Sequence, residues 1–596
     1  MAYLAPDILR RVRRQWLSLV LLGIATDLLL VVTLAVPASW GVRWLVGTHD
    51  SAVVSNTQLI GFLLSPAGLG IALLAWIVFA VTRFAQAAAG LSLVSGDKRR
   101  SWLAALRHVA FALPRLTKLA VIGLVLLGLG ALPGLLVVAA AAYTVLTGEF
   151  DINYYLADRP SEFQTSLWVA IAGAILAGSG MLYVLMRTCL ALPIVLDDGE
   201  PAIAAVRESI RQTKHRNWKL IRALLSFGVC AGLVFLVAAG VSTLVGWLAS
   251  IAPAAWWGIG LVLLVFAVQL IASEAASVTI ASLAAATLAV LHERLMPGHA
   301  SHAPVAPPHW PALMTWRRGL LVYVAGFATI ATIGGLTLAA AIQGISTEPP
   351  LVISHRGQTD DAPENSLLAF ERALDAGADV VELDVQLSRD GVVVVVHDAD
   401  LMRVAGVPDR VAQTSAARLT SQTLRGGDQT LPTLAEALKL IAPRGRVLIE
   451  LKYYGFDDQL VPAVLKVVDE AGVRDRVMFM SLDRPAVQQT RELAPELPVG
   501  LTVATSLGKL GSIDADFIAL GTRDASANAI ADLHDAGLEV YVWTVNRPAD
   551  LDRFLALGVD GVITDNTTAA KQAKEDQAGT TGIERVLLGL RVRLGV

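Results

Sequence analysis

Apolar positions run through this chain in two rhythms. Up to about residue 345 they form long unbroken stretches, near 17–37, 64–87, 119–147, 166–195, 218–249, 256–291 and 319–343. These seven stretches reach the roughly 20 residues that a helix needs to cross a bilayer core. The pattern predicts an all-α, multi-span membrane domain over 1–345 with about seven helices. The stretches at 119–147 and 256–291 exceed the required length, and Pro133-Gly134 marks a candidate kink in the first. The segment 297–316, PGHASHAPVAPPHWPALMTW, is rich in proline and reads as a linker. Its three histidines, His299, His302 and His309, match no standard metal-ligand spacing.

After residue 350 the rhythm shortens. Apolar runs near 351–354, 379–385, 392–397, 447–451, 476–480, 498–503, 516–520, 539–544 and 561–564 alternate with segments of helical spacing. That alternation predicts an α/β TIM-barrel-like domain over 346–572. Nine strands are one more than such a barrel uses, so one is expected outside it. The remainder, 573–596, reads as a tail. KQAKEDQAGTT from Lys571 is polar and expected to be flexible, and IERVLLGLRVRLGV (583–596) has a basic amphipathic pattern.

Composition supports the membrane reading. Of 596 residues, 55% are hydrophobic and only 17% charged, with a mean hydropathy of +0.58, too apolar for a soluble protein. A net charge of −3 gives no case for nucleic acid as a partner. Cys189 and Cys230 lie in apolar helical stretches and read as buried, inert thiols. The first apolar stretch is too long for a cleavable signal peptide.

Basic residues cluster at Arg10–Arg14, Lys98–Lys118, Arg207–Arg222 and Arg294–Arg318, whereas 148–165 holds one arginine among Glu149, Asp151, Asp158 and Glu162. By the excess of Lys and Arg in cytoplasmic loops, the N-terminus is inside. Seven spans then place the domain after residue 345 on the extracytoplasmic face of the cell membrane; an even count reverses that. Asp27 and Glu274 sit inside apolar stretches and read as interhelical or protonated acids. Gly178, Gly180, Gly240 and Gly334-Gly335 fit close helix packing. Ala104-Ala105-x-Arg107 and Ala204-Ala205-x-Arg207 hint at a duplicated interfacial helix.

Candidate chemistry gathers between Leu351 and Asp398. His355 and Arg356 directly follow the apolar run LVIS, at a strand's C-terminal end. Leu367, Leu368, Phe370, Ala373 and Leu374 predict a helix over 365–376, closed by Gly377. Glu364 and Asn365 before it either order a loop or cap that helix. Glu382 and Asp384 stand two apart on a strand and share a face. VLIELK (447–452) repeats the arrangement with Glu450 and Lys452, and VVVVVHD (392–398) reads as a strand ending in His397. Three carboxylates from two strand ends form a hard oxygen site suited to Mg²⁺, Ca²⁺ or Mn²⁺ rather than Zn²⁺. A divalent cation with an arginine and a lysine favours a phosphate, and two histidines supply acid and base. Asp398 is expected to orient His397 or its loop; Thr564 and Asp565 receive no role.

In order and spacing, HRG (355–357), PEN (363–365), ELD (382–384), HD (397–398), LPTLAEAL (431–438), ELK (450–452), WTVN (543–546) and GVDGVITD (558–565) resemble the glycerophosphodiester phosphodiesterase family. The likeness covers roughly 350–570. Ser366 stands where the family often has Thr, and Ser388-Arg389-Asp390 where it often has Thr-Lys-Asp. The resemblance implies a metal-dependent hydrolase of lipid and glycerol metabolism, releasing sn-glycerol 3-phosphate and an alcohol at the membrane. It implies His355 and His397 as the acid/base pair and Glu382, Asp384 and Glu450 as metal ligands. Arg356 and Lys452 become phosphate contacts, Trp543 a pocket wall, and 399–430 an insertion shaping the mouth. Competing expectations are a phosphodiesterase for lysophospholipids or envelope glycerophosphate polymers, and a transport or sensor protein with an inactive barrel. Membrane lipids are expected partners; the oligomeric state stays open.

Overall fold

Four apolar helices carry the N-terminal half of this computed structural model, which describes residues 4–30, 53–55, 65, 70, 84–95, 102–250, 256–297, 349–454, 458–508, 510–579 and 587. They are Trp102–Leu146, Ser161–Thr188 (continued by Ala191–Asp197), Asn217–Ser250 and Trp256–Leu295, each long and apolar enough to cross a membrane. Large apolar side chains such as Leu136, Phe235 and Val237 point outward, 60–67% exposed. A surface of that kind in water would be an association patch; against lipid it is solvated. The first helix has 45 residues, about 68 Å at 1.5 Å per residue, so it projects well past a bilayer core of roughly 30 Å. A further helix, Leu4–Leu30, packs on the last of the four. The expected stretches at 17–37 beyond Leu30, at 64–83 apart from Ser65 and Gly70, and at 319–343 lie outside the described residues. So do the linker 298–316, Gly334-Gly335 and the side chain of Asp27.

Basic residues gather where one set of helix ends meets. Arg11 pairs with Glu293 at 2.6 Å and Arg294 with Asp7 at 2.8 Å, while Arg216 donates to the carbonyl of Leu295 and Arg187 to that of Thr213. Ala105 and Ala205, from the two Ala-Ala-x-Arg segments, are both buried in the apolar cluster at this end, the second on its own amphipathic helix Ala202–Thr213. Cys189 and Cys230 are free thiols and only half-buried.

Glycine packing differs from the sequence expectation. Trp102–Leu146 and Ser161–Thr188 lie closest where Gly130 faces Gly180 and Gly134 faces Gly173 and Ala177. A Cβ on Gly180 would fall within 2.0 Å of the Gly130 carbonyl oxygen, whereas Gly178 and Gly240 have open space.

The C-terminal half closes into a barrel. Eight parallel strands, β2 (Leu351–Ser354), β3 (Val380–Leu387), β5 (Arg446–Leu451), β6 (Val477–Ser481), β7 (Val499–Val503), β9 (Phe517–Gly521), β10 (Glu539–Trp543) and β11 (Gly561–Thr564), pair in sequence, and β11–β2 and β2–β3 complete the ring. The ninth expected strand is the one outside: β4 (Val393–Val395) runs antiparallel to β3. A short β8 (Ser506–Gly508) leaves the barrel and pairs with β1 (Val53–Ser55) of the N-terminal half. Inside the ring, Ile353, Val380, Leu448, Met478, Met480, Phe517, Ala519, Tyr541 and Ile563 fill the lower interior. Alternate residues such as Val381, Ile449 and Phe479 face the helices. Inward positions therefore read Val380, Glu382, Asp384 along β3 and Leu448, Glu450 along β5, apolar at the bottom and acidic towards the C-terminal end. The polar stretch from Lys571, expected to be flexible, instead completes the last barrel helix, Thr567–Ala578, capped by Asn566. Its buried Thr567 and Ala570 fix it on the barrel. Of the tail 583–596, only Leu587 is described, buried beside Val245 and Val262.

The paired glycines give a matched test. Gly180→Ala forces a shift of backbone against backbone and is expected to cost about 1–3 kcal/mol, lowering the melting temperature of the detergent-solubilised protein. Gly178→Ala, two residues away in open space, is expected to leave it unchanged or slightly higher.

Candidate active site

Three carboxylates meet at the inner C-terminal end of the barrel because of strand register. Glu382 and Asp384 share the inward face of β3, and β5 pairs so that Asp384 stands opposite Glu450. One oxygen from each of the three lies within 4.8 Å of the others, and all three residues are buried. Glu382 Oε1 and Glu450 Oε1 have no hydrogen-bond partner, and Asp384 Oδ1 meets only the ammonium of Lys452, at 3.1 Å. Buried carboxylate oxygens left open are costly unless a cation takes them. Burial pushes the Glu382 carboxyl well above its usual range, with Asp384 and Glu450 adding to the effect. Burial would raise Asp384 too, but Lys452 and Arg356 hold it well below. The donor set, three hard oxygens with unused lone pairs, fits a divalent cation.

The cationic side chains around this cluster are already engaged. Lys452 Nζ bridges Asp384 and Glu450, the latter at 3.0 Å. Arg356 Nε lies 3.2 Å from Asp384, Nη1 donates to Glu364 at 2.9 Å, and the backbone N–H donates to Glu382 at 2.8 Å. Arg403 holds Glu364 and Asp398 together, with contacts of 2.6–3.1 Å. In this connected network, the carboxylates Glu364, Glu382, Asp384, Asp398 and Glu450 outnumber the cations Arg356, Arg403 and Lys452 by two.

The turn after β2 is under backbone strain. Arg356 and Asn365 adopt positive φ of 57° and 56°, and Gly357 lies at 87°. A Cβ on Gly357 would collide with the backbone of Ala369 at 2.6 Å, so only glycine fits beside that helix. Ser366, not Asn365, caps the helix Leu367–Asp375. Asn365 turns inward, donating to Asp384 Oδ2 at 2.8 Å and accepting from the Asp384 N–H.

The two histidines are set up alike. His355 Nδ1 lies 2.6 Å from Asp565 and His397 Nδ1 lies 2.7 Å from Asp398. Burial opposes ionisation of both aspartates, yet His355 holds the Asp565 carboxyl below its usual range, and His397 with Arg403 brings Asp398 down to about 2. An ionised carboxylate accepts, so each Nδ1 carries a proton and donates it, and Nε2 is the ring nitrogen its aspartate does not engage. Both imidazoles bear electrostatically on Asp384. Their routes differ. His355 follows a barrel strand, as its spacing predicts, whereas β3 overshoots the rim and β4 turns back, returning His397 to the level of Asp384. Gln386 secures that return by donating to the carbonyls of Val396, His397 and Asp398 at 2.8–3.1 Å. Tyr454 donates to the same His397 carbonyl at 2.7 Å.

Trp543 ends β10 half-buried against the interior cluster, its Nε1–H on the carbonyl of Ala519 at 2.9 Å. Arg403, Gln386 and Tyr454 carry no signal that sequence reasoning uses, and Asp565 is named there without a role. Asp565 follows β11 as His355 follows β2, so the strand-end rule that finds one also finds the other. Arg403 lies in an aperiodic loop and carries no such signal.

Residues 355–569 match the glycerophosphoryl diester phosphodiesterase family, and residues 6–304 match the membrane domain of glycerophosphoryl diester phosphodiesterase. A glycerophosphodiester phosphodiesterase of Caldanaerobacter subterraneus is 31% identical over 234 residues, 36% of this chain and 94% of that protein. One from Bacillus altitudinis is 27% identical, over 38% of this chain and 98% of its own. A solved phosphodiesterase of Oleispira antarctica, in complex with the product sn-glycerol-3-phosphate, is similar at 27% identity and a TM-score of 0.36, over 38% of this chain and 97% of that one.

Asp398 gives a pH test. Its folded value of about 2 lies below the unfolded value near 4. Its contribution to stability is therefore complete above about pH 4 and lost as pH falls through 2. Asp398→Asn is expected to destabilise the protein at neutral pH and to flatten the acid limb of its melting profile between about pH 4 and 2.

Proposed function

This chain belongs to the glycerophosphodiester phosphodiesterase family, and we propose that its barrel hydrolyses glycerophosphodiesters to sn-glycerol 3-phosphate and an alcohol with the help of a divalent cation. The observation that carries the cation requirement is the buried set of open oxygens on Glu382, Asp384 and Glu450. Glu382, Asp384 and Glu450 would hold the cation, which would supply Lewis-acid polarisation of the phosphate. Arg356 and Lys452, fixed by their carboxylate partners, stabilise the negative charge on the phosphoryl oxygens in the transition state. One imidazole, through Nε2, takes the proton of the attacking hydroxyl: that of water, which gives glycerol 3-phosphate directly, or that of a neighbouring glycerol hydroxyl, which gives a cyclic glycerophosphate that water then opens. The other gives a proton to the departing alcohol oxygen as the P–O bond breaks. Asp565 and Asp398 keep Nδ1 protonated in both rings, so the base acts as a neutral imidazole with a bare Nε2 and the acid as an imidazolium that gives up its Nε2 proton. Trp543 forms one wall of the glycerol pocket, and Glu364 and Asn365 keep Arg356 and Asp384 in place.

We place the barrel on the extracytoplasmic face of the cell membrane, with the N-terminus cytoplasmic. Support comes from the bundle: Arg11, Arg187, Arg216 and Arg294 gather at one end, and the acidic turn 147–160 at the other end meets the barrel. The positive-inside rule assigns the basic end to the cytoplasm. A chain that leaves Leu295 on that face and enters Leu351 on the other crosses once more, and the apolar sequence at 319–343 is long enough to do so.

For the full-length protein in detergent with sn-glycero-3-phosphocholine, we expect glycerol 3-phosphate release with Mg²⁺, Ca²⁺ or Mn²⁺ and none with a chelator. His355→Ala, His397→Ala and Glu450→Gln are each expected to lower kcat on the order of 10²-fold or more, and Asp565→Asn by a similar factor through loss of the tautomer. Absence of turnover with every ion would overturn the proposal. In a Cys189→Ser, Cys230→Ser background, an impermeant maleimide should label Ala435→Cys on the barrel in intact cells and spare Arg207→Cys; the reverse pattern would invert the orientation.

A further inference from the structure

The loop that carries His397 is held from two directions. On the barrel side are Gln386 and Tyr454. On the other side is a short helix of the membrane domain, Ile152–Asp158, in the turn between the two long helices Trp102–Leu146 and Ser161–Thr188. Asn153 Nδ2 lies 3.3 Å from Asp398 Oδ1, the same oxygen that receives the His397 Nδ1–H. The Asp151 N–H donates to buried Asp400 at 2.8 Å, and the Asp151 carboxylate accepts from the Ala399 N–H at 3.4 Å and caps its own helix through the Asn153 N–H. Outside this centre, Arg410 donates to the carbonyl of Glu149 at 2.8 Å and Arg425 pairs with Asp158 at 2.5 Å. The small helix Met402–Ala405, which positions Arg403, packs directly on Ile152–Asp158.

We propose that Asp151 and Asn153 of the membrane domain are positioning residues of the active site, fixing the 397–403 loop so that His397 and Arg403 stand correctly over the carboxylate cluster. The inference rests on the catalytic reading of His397 given above. Three physical points support it. The loop has little regular structure of its own, only the four-residue helix Met402–Ala405, so its order depends on outside partners. Those partners reach the residues that matter, because Asn153 bonds the carboxylate that orients His397 and that Arg403 ties to Glu364 and so to Arg356. A carboxylate sharing one oxygen between an amide and an imidazole N–H is fixed in rotation, which fixes the ring in turn. The membrane domain thus completes the mouth of the barrel as well as anchoring it.

The test uses the full-length protein in detergent, with sn-glycero-3-phosphocholine and Mg²⁺, beside hydrogen exchange of the peptide spanning 397–405. For the Asp151→Ala, Asn153→Ala double variant we expect kcat to fall about tenfold or more, KM to stay within about twofold, and exchange in 397–405 to rise while the barrel strands keep their protection. Asn153→Asp, which sets a second carboxylate against Asp398, is expected to lose more than Asn153→Ala. Asp151→Asn, which keeps the accepting oxygen, is expected to restore most of the rate. Glu162→Gln, in the first turn of the helix Ser161–Thr188 and without a barrel partner among the described contacts, is expected to match wild type. Unchanged exchange in the double variant would overturn the inference whether or not the enzyme turns over. So would a loss of rate that only follows a fall in melting temperature. Absence of turnover in the wild type would count against the catalytic reading alone, since the exchange comparison stands without it.

Discussion

Too much negative charge in too little water is the constraint around which the barrel's upper half is arranged. Glu382, Asp384 and Glu450 are buried together with oxygens left open. Two buried like charges repel strongly, and three need compensation. Arg356 and Lys452 supply part of it, each tied to Asp384. Asn365 and the Arg356 backbone N–H add directed donors. The remaining excess of negative charge, on oxygens left open, fits a divalent cation.

The strain near the site follows from the same demand. Placing the Arg356 N–H on Glu382 while its side chain reaches Asp384 and Glu364 requires the tight turn at 355–357, with positive φ at Arg356 and Gly357. The strand β3 runs past the rim so that β4 can return His397 to the cluster. This uses one extra antiparallel strand to bring a second imidazole to the cluster. The two His–Asp pairs then present two imidazoles, each held through Nδ1, beside the carboxylate cluster.

The membrane domain enters this arrangement rather than standing apart from it. Its longest helix exceeds what a bilayer needs, and the excess carries the Ile152–Asp158 helix up to the mouth. Contacts from Asp151 and Asn153 to the loop after His397, and the pairing of β1 with β8, join the halves at separate places.

Much of the fold and site was legible in the sequence, because local periodicity reports it directly. Uninterrupted apolar stretches mark spanning helices, alternation marks strands, and residues two apart on a strand must share a face. So Glu382 with Asp384, Glu450 with Lys452, and His355 at a strand end could be read from spacing alone, and the surplus ninth strand was recognised as one too many. Spacing does not say which strands become neighbours. The facing of Asp384 and Glu450, the backward course of β4, the roles of Arg403 and Gln386, and the inward turn of Asn365 depend on register and closure, which join residues far apart in the chain. The helical fate of the polar stretch after Lys571 was decided by a barrel surface on which Thr567 and Ala570 are buried, a partner absent from local sequence. The approach of Asn153 to Asp398 crosses 245 positions, a distance over which only the packing of two domains carries information.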